Sequence, residues 1–91
     1  MHSEIHIENI FTENTEAGLF LIMQCQVING AVQIGANVSL PFSAGIDMTI
    51  PVDGIEVIGN RHIKIKVLCE DSAEIDFLLG LNLAGENLLV E

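Results

Sequence analysis

The chain of 91 residues has little positive charge and few aromatic side chains. Three lysine and arginine residues stand against thirteen aspartate and glutamate residues, which gives a formal net charge of −10, and there is no tryptophan or tyrosine. Nucleic-acid binding normally needs a cationic surface, and single strands are held in addition by stacking on aromatic rings. Nucleic acid is therefore a disfavoured partner.

Disulfide and membrane signals are also missing. Two cysteines are too few for a disulfide framework, and the polar, acidic start MHSEIHIE does not resemble a secretory signal. The longest uncharged stretch runs from Ala17 to Ile46, but glycine, asparagine and glutamine interrupt it, so it does not predict a membrane-spanning helix. We expect a cytoplasmic protein with reduced thiols.

Aliphatic residues dominate what is present. Apolar residues make up 49% of the chain, which suits one domain over residues 1–91 with a small core. They alternate with polar residues. Wherever apolar residues also recur at helical spacings of three and four, the alternating pattern of a strand fits them as well. We predict strands over residues 4–11, 19–27, 31–34, 38–40, within 46–57, 62–69, 74–83 and 88–90. About six or seven short strands with glycine and proline between them indicate an all-β fold, a small closed antiparallel β-barrel.

The stretch from Gly18 to Leu40 is the centre of this prediction. Asn29-Gly30 is a strong tight-turn signal, because both residue types tolerate positive φ. Gly35 makes a second corner, and residues 41–45 form a loop that begins with proline. Pro51 cannot donate a ladder hydrogen bond, so it marks an edge or a break in the following strand.

Strand parity predicts which side chains point outward. If Gln24 and Gln26 face water, Phe20 and Ile22 lie on the same outer face and need cover from a loop, a reset of parity by a bulge, or a docked partner. Cys25 then faces inward as a small core residue.

Residues 62–69 and 74–83 are predicted to form a hairpin. Inward residues must oppose inward residues, so the natural register pairs Val67 with Ile75, Ile65 with Phe77 and Lys66 with Asp76. The same register points Leu68 and Leu78 outward. With Phe20 and Ile22 they would form an exposed apolar patch, the best candidate for contact with a protein partner or with a second copy of the chain.

All the lysine and arginine residues fall within six positions, at Arg61, Lys64 and Lys66. Two interpretations are open. The cations offset neighbouring carboxylates across strands, or they form a small cationic stripe that orients the chain in a complex.

No catalytic, cofactor or metal site is predicted. His2 and His6 share one strand face but lie roughly 13 Å apart, too far to bind one ion. The acidic residues between Glu70 and Asp76 lack the glycine-bearing loop of a calcium site. Cys25 and Cys69 both face inward, whereas a catalytic thiol needs exposure and a nearby base.

Several segments together resemble one known family. IENIF at residues 7–11, QVINGAVQIGANVSLP at 26–41, VDGIEV at 52–57 and the segment 75–80 occur in the order and spacing of the second domain of translational GTPases such as elongation factor Tu. The resemblance implies a translation-protein β-barrel. In that family the barrel packs on the GTPase domain and contacts transfer RNA or the small ribosomal subunit.

The departures from the family pattern shape the functional prediction. The family's Gly-Asp is Gly35-Ala36 here, its basic positions are Gln24 and Gln26, and no Gly-x-x-x-x-Gly-Lys-Ser/Thr phosphate loop occurs in the sequence. We expect a non-enzymatic protein-interaction module, with a homodimer as one form. The alternatives are an acidic inhibitor or immunity-type protein that binds a basic partner, and an inherited ribosome or RNA contact.

Overall fold

The computed structural model describes residues 2–40 and 48–91, and the predicted loop at 41–45 lies outside these ranges. The described chain is all-β apart from one short helix. Its elements, in chain order, are β1 (Ser3–Thr15), β2 (Gly18–Asn29), β3 (Asn37–Leu40), β4 (Met48–Pro51), β5 (Gly54–Gly59), β6 (His62–Cys69), α1 (Ser72–Leu79) and β7 (Asn87–Val90).

The seven strands form one antiparallel sheet in the order β4-β3-β7-β1-β2-β6-β5. Strand β2 is the central element: it pairs with β1 from Gly18 to Asn29 and with β6 from Leu19 to Gln26. The all-β prediction is confirmed, and the seven strands agree with the predicted six or seven, although two of the predicted segments are not strands and the segment 46–57 contains two. The described ladder pairs do not include one between β4 and β5, so the sheet is not closed as the predicted barrel requires.

The sheet must nevertheless curl, because its two edge strands are consecutive in the chain. Only Val52 and Asp53 separate β4 from β5, a gap of at most about 11 Å, whereas the outer strands of a flat seven-stranded sheet would lie about 29 Å apart. The Val52 amide donates to the Ala36 carbonyl (2.9 Å), and the Asp53 amide donates to the Lys66 carbonyl (2.9 Å). These two residues therefore carry the chain from one edge of the sheet to the other.

The inner face of the curled sheet encloses the core. As predicted, β6 sends Ile63, Ile65, Val67 and Cys69 inward, each no more than 8% exposed. Burial of these alternating aliphatics from all the strands is the main driving force for folding. The other strands supply Ile5, Ile7, Leu21, Met23, Cys25, Val27, Val38, Leu40, Ile50, Leu88 and Val90, and the connections supply Val52 and Leu83.

The predicted strand over residues 31–34 is wrong. Gly30 makes the predicted turn (φ +76°), but the following residues are irregular until the turn at Gly35 (φ +93°). The reason is a tertiary contact: the Ser3 hydroxyl donates to the Ala31 carbonyl (2.6 Å) and accepts from the Ala31 amide (3.1 Å). These bonds hold the segment against the start of β1, so it does not return along β2.

The predicted strand over residues 74–83, its hairpin with β6 and the absence of helix are also wrong. Helix α1 begins after Asp71, whose carboxylate accepts from the Glu74 amide (2.9 Å) as an N-cap. Ile75 and Leu78 lie three residues apart on one helix face and are buried, while Phe77 and Leu79 are 44% and 38% exposed. Strand β6 pairs with β2 and β5 instead.

A pair of glycine substitutions tests the turn at Gly30. An added Cβ at Gly30 would lie 2.5 Å from the Ser3 hydroxyl, whereas one at Gly35 would meet nothing within 4 Å. We expect Gly35→Ala to lower the free energy of unfolding by about 1 to 2 kcal/mol through its backbone strain alone. Gly30→Ala should cost about 3 to 4 kcal/mol, because it also disrupts the two Ser3 hydrogen bonds.

Urea unfolding followed by circular dichroism measures both variants. Equal losses of stability in the two variants would show that the close approach of Gly30 to Ser3 does not contribute to the free energy of unfolding.

Candidate partner-binding surface

The outer face of β1, β2 and β6 brings together three of the four predicted apolar residues. Phe20 lies opposite Leu68 on β6, and the adjacent Ile22 lies opposite Lys66 on β6 and Phe11 on β1. We call Phe11, Phe20, Ile22 and Leu68 the outer patch. The sequence did not predict Phe11 as a member of this surface, because alternation from Ile7 would place it on the inner face. A bulge between Ile7 and Asn9, which no sequence signal marks, moves Phe11 to the outer face.

Only part of the outer patch is accessible. Ile22 is 1% exposed, so its cover comes from within the chain. Leu68 is 46% exposed and leans over Gly18, where a Cβ would lie 2.9 Å from its Cδ1. Leu68 is therefore the most exposed member of the patch, beside the half-buried Phe20.

Leu78 does not belong to this surface, contrary to the prediction. It is fully buried in the core beneath helix α1. The reason is the change of period: a strand would place positions 75 and 78 on opposite faces, whereas a helix places them on the same one.

Carboxylates lie near the accessible part of the outer patch. Glu13 is the β1 neighbour of Phe20. The Asp53 carboxylate accepts from the Leu68 amide (2.7 Å), and beyond the end of β6 the Glu74 carboxylate accepts from the Glu70 amide (3.2 Å). The exposed apolar side chains thus have carboxylates near the end of β6, while Lys66 lies two residues from Leu68 on the same face of the strand.

The two lysines are engaged by a carboxylate that the sequence did not single out. Lys64 and Lys66 lie 3.8 Å and 3.7 Å from the carboxylate oxygens of Glu56 on β5, not beside Asp76. The Lys64 ammonium also lies 5.7 Å from the centre of the Phe11 ring. Such half-exposed pairs each contribute at most about 1 kcal/mol. Their geometry fits the interpretation in which the cations offset neighbouring carboxylates.

Arg61 has a structural contact set at the turn between β5 and β6. Its backbone is left-handed (φ +61°), and its carbonyl accepts from the Val27 amide (2.7 Å). Its guanidinium donates to the carbonyls of Val27 (3.1 Å) and Ile28 (3.4 Å). Arg61 therefore fastens this turn to the end of β2, away from Leu68.

The three histidines have separate partners. His2 lies 2.9 Å from Glu91, His6 lies 2.6 Å from the Asn87 side chain, and His62 lies 3.0 Å from Glu8. Within residues 2–40 and 48–91, no group of three histidine, cysteine, aspartate or glutamate side chains could hold a metal ion.

Both cysteines are free thiols in the core, as predicted. Burial, followed by the charge of Glu8, raises the pKa of Cys25 from 9.0 to about 12. Burial, followed by the charge of Glu74, also raises the pKa of Cys69. A raised pKa keeps the thiol protonated, which is the opposite of what a nucleophilic cysteine requires.

A concavity of about 310 Å³ lies where the start of β1 meets the turn after β2. Its one charged lining residue is Glu91, which is paired with His2, and the Ser3 hydroxyl is already bonded to Ala31. It offers no convergent set of unengaged polar groups to a small ligand. Its lining residues are Ser3, Gly30, Ala31, Gln33, Ala36, Val90 and Glu91.

No protein-family model, curated protein or solved structure matches the chain. Among the described residues, the structure contains no helix with the length and apolar character needed to cross a membrane.

The buried Cys25 thiol should make stability sensitive to alkaline pH. Above pH 9.0 the unfolded chain releases the thiol proton while the folded chain keeps it until about pH 12. The free energy of unfolding should therefore fall with rising pH over this window, by up to about 1.4 kcal/mol per pH unit for this one group.

Urea unfolding of the wild type and of Cys25→Ala at pH 7 and above pH 9 measures the contribution of this thiol to stability. The chain has no tyrosine, whose own titration in this range would complicate the comparison. Cys25→Ala should be less stable at pH 7 but lose less stability with pH. Parallel pH profiles would contradict the assignment.

Proposed function

We propose that this chain is a non-enzymatic protein-interaction module that binds a basic protein surface through the outer patch. The observation that carries the proposal is the exposed Leu68 with the Asp53 carboxylate on its amide and Glu13 opposite Phe20. An exposed apolar contact with carboxylates next to it suits a partner that has an apolar contact of its own and cations near it.

The proposed scaffold is a barrel similar to the second domain of translational GTPases. Support comes from the seven antiparallel strands and from the two-residue connection between the edge strands, since both are compatible with a narrow barrel. The positive φ of Gly30 and Gly35 supports the alignment with the two glycine corners of that family. The proposed location is the cytoplasm.

Charge supports a basic partner more generally. The chain carries a net charge of −10, and its two lysines are occupied by Glu56. The negative electrostatic field of the chain accelerates its encounter with cationic proteins and opposes contact with phosphate backbones. RNA contact of the kind known for the translation factors is therefore not proposed.

A second candidate function is an acidic inhibitor or immunity-type protein for a basic enzyme. The grouping of Asp53, Glu70, Asp71 and Glu74 around the end of β6 favours it, because carboxylates can take the positions of substrate phosphates. The two candidates differ in one measurable respect: an inhibitor abolishes the activity of the protein that it captures.

Two exposed leucines provide a matched test. Leu68 and Leu89 are 46% and 49% exposed on strands, but only Leu68 belongs to the outer patch. We expect Leu68→Ser to weaken binding of a captured partner about tenfold or more, because it removes the central apolar contact. Leu89→Ser should leave binding unchanged.

The measurement is affinity capture from lysate at low and high salt, followed by titration of the captured protein. Capture should weaken between about 50 mM and 300 mM salt, because screening reduces attraction between unlike charges. Binding that resists salt would contradict a basic partner, and equal effects of Leu68→Ser and Leu89→Ser would exclude this surface.

A further inference from the structure

The chain carries a chemically labile pair, Asn29-Gly30, where it leaves β2. Asparagine is a thermolabile residue type, because the backbone nitrogen of the next residue can attack its side-chain amide. The attack is easiest when the next residue is glycine, since no Cβ obstructs the approach. Asn29, Gly30 and Ala31 are all exposed, so the fold does not shield the reacting groups from water. We call these three residues the Asn29 corner.

The Gly30 nitrogen is available as the nucleophile. Among the hydrogen bonds of the residues that the structure describes, none is donated by the Gly30 amide. Loss of its proton therefore breaks no hydrogen bond of the fold. Gly30 also lines the concavity of about 310 Å³, which is large enough to admit water to the product of the attack.

Two contacts hold the Asn29 corner in a conformation that opposes the reaction. Asn29 is the last residue of the β1–β2 ladder and pairs with Glu4. Immediately after Gly30, both hydrogen bonds of the Ser3 hydroxyl fix Ala31. In an extended strand the side chain points away from the following amide nitrogen, so the attack requires the corner to open locally.

We propose that Asn29 is a site of slow spontaneous deamidation, and that the contact between Ser3 and Ala31 limits its rate. The Gly30 nitrogen bonds to the side-chain carbonyl carbon of Asn29, and the bond from that carbon to Nδ2 breaks. Ammonia leaves with the amide proton, and a cyclic imide remains. Water then opens the ring at either carbonyl, which gives aspartate or isoaspartate without any change of oxidation state.

The isoaspartate product does not fit the native corner. It routes the main chain through the former side chain and so inserts a methylene group beside Gly30, where even an added Cβ would lie 2.5 Å from the Ser3 hydroxyl. It also adds a carboxylate near Glu4, and like charges on opposed strand residues are destabilising. We expect isoaspartate to release Ala31 from Ser3 and to separate the adjoining ends of β1 and β2.

Peptide mapping by mass spectrometry, after storage of the wild-type chain in mildly alkaline buffer, measures the modification. Base promotes the attack because it removes the amide proton of Gly30. Asn60 and Asn82 are internal controls, since both are exposed but are followed by arginine and leucine. Deamidation at Asn29 should exceed that at either control about tenfold or more. Equal rates at the three asparagines would overturn the proposal.

Two variants test the role of Ser3. Ser3→Ala removes both hydrogen bonds to Ala31 and should accelerate deamidation of Asn29 about fivefold or more, because the corner opens more often. Gly35→Ala is the matched control: its backbone strain lowers stability, but its added Cβ meets nothing within 4 Å. It should leave the rate unchanged. Equal acceleration in both variants would show that global unfolding limits the rate, and would overturn the role given to Ser3.

Urea unfolding of the isoaspartate form, isolated by chromatography, tests the structural consequence. Asn29→Asp is the control, because it carries the same added charge on an unaltered main chain. The isoaspartate form should unfold at a lower urea concentration than Asn29→Asp, and equal midpoints would overturn the expected opening. This inference is independent of the proposed function, since Asn29 and Phe20 lie at opposite ends of β2 and partner binding at Leu68 should survive the modification.

Discussion

The connection between β4 and β5 is the constraint on which the rest of the fold depends. Two residues link strands that lie at opposite ends of the sheet order, so the sheet has to curl until its edges approach. Val52 is 1% exposed and bonds toward Ala36, whereas Asp53 bonds to β6 through both its amide and its carboxylate. One short segment thereby fixes the curvature that encloses the core.

The same connection sets the distribution of charge along β6. Because Asp53 turns toward the end of β6, it brings a carboxylate to Leu68, next to the acidic residues that begin helix α1. Further along β5, Glu56 faces Lys64 and leaves the β5–β6 hairpin without an excess of negative charge. Carboxylates at the end of β6 and cations farther along the same strand therefore lie on one small sheet.

Much of the strand content could be read from the sequence, because alternation is a local signal. Strand β6 has the predicted bounds and faces, and the Gly30 and Gly35 turns occur where expected. The strand predicted from Glu74 onward was wrong because the sequence fits two patterns. Ile75, Phe77 and Leu79 alternate as in a strand, whereas Ile75 and Leu78 have the spacing of a helix. The overlooked signal was Asp71 with Glu74 three residues later, a pair typical of a helix start. Leu78 was assigned to the wrong face for that reason alone.

The sequence by itself determined the all-β class, the inward face of β6, the burial of both cysteines and the net charge of −10. These features follow from residue types and from a period of two, which neighbouring residues set. Only the tertiary structure decided that Glu56 engages the lysines, that Arg61 fastens a turn, and that Phe20, Ile22 and Leu68 adjoin on β2 and β6. Those contacts join residues distant in sequence, and the order in which strands pair is set by the curling of the whole sheet around its core.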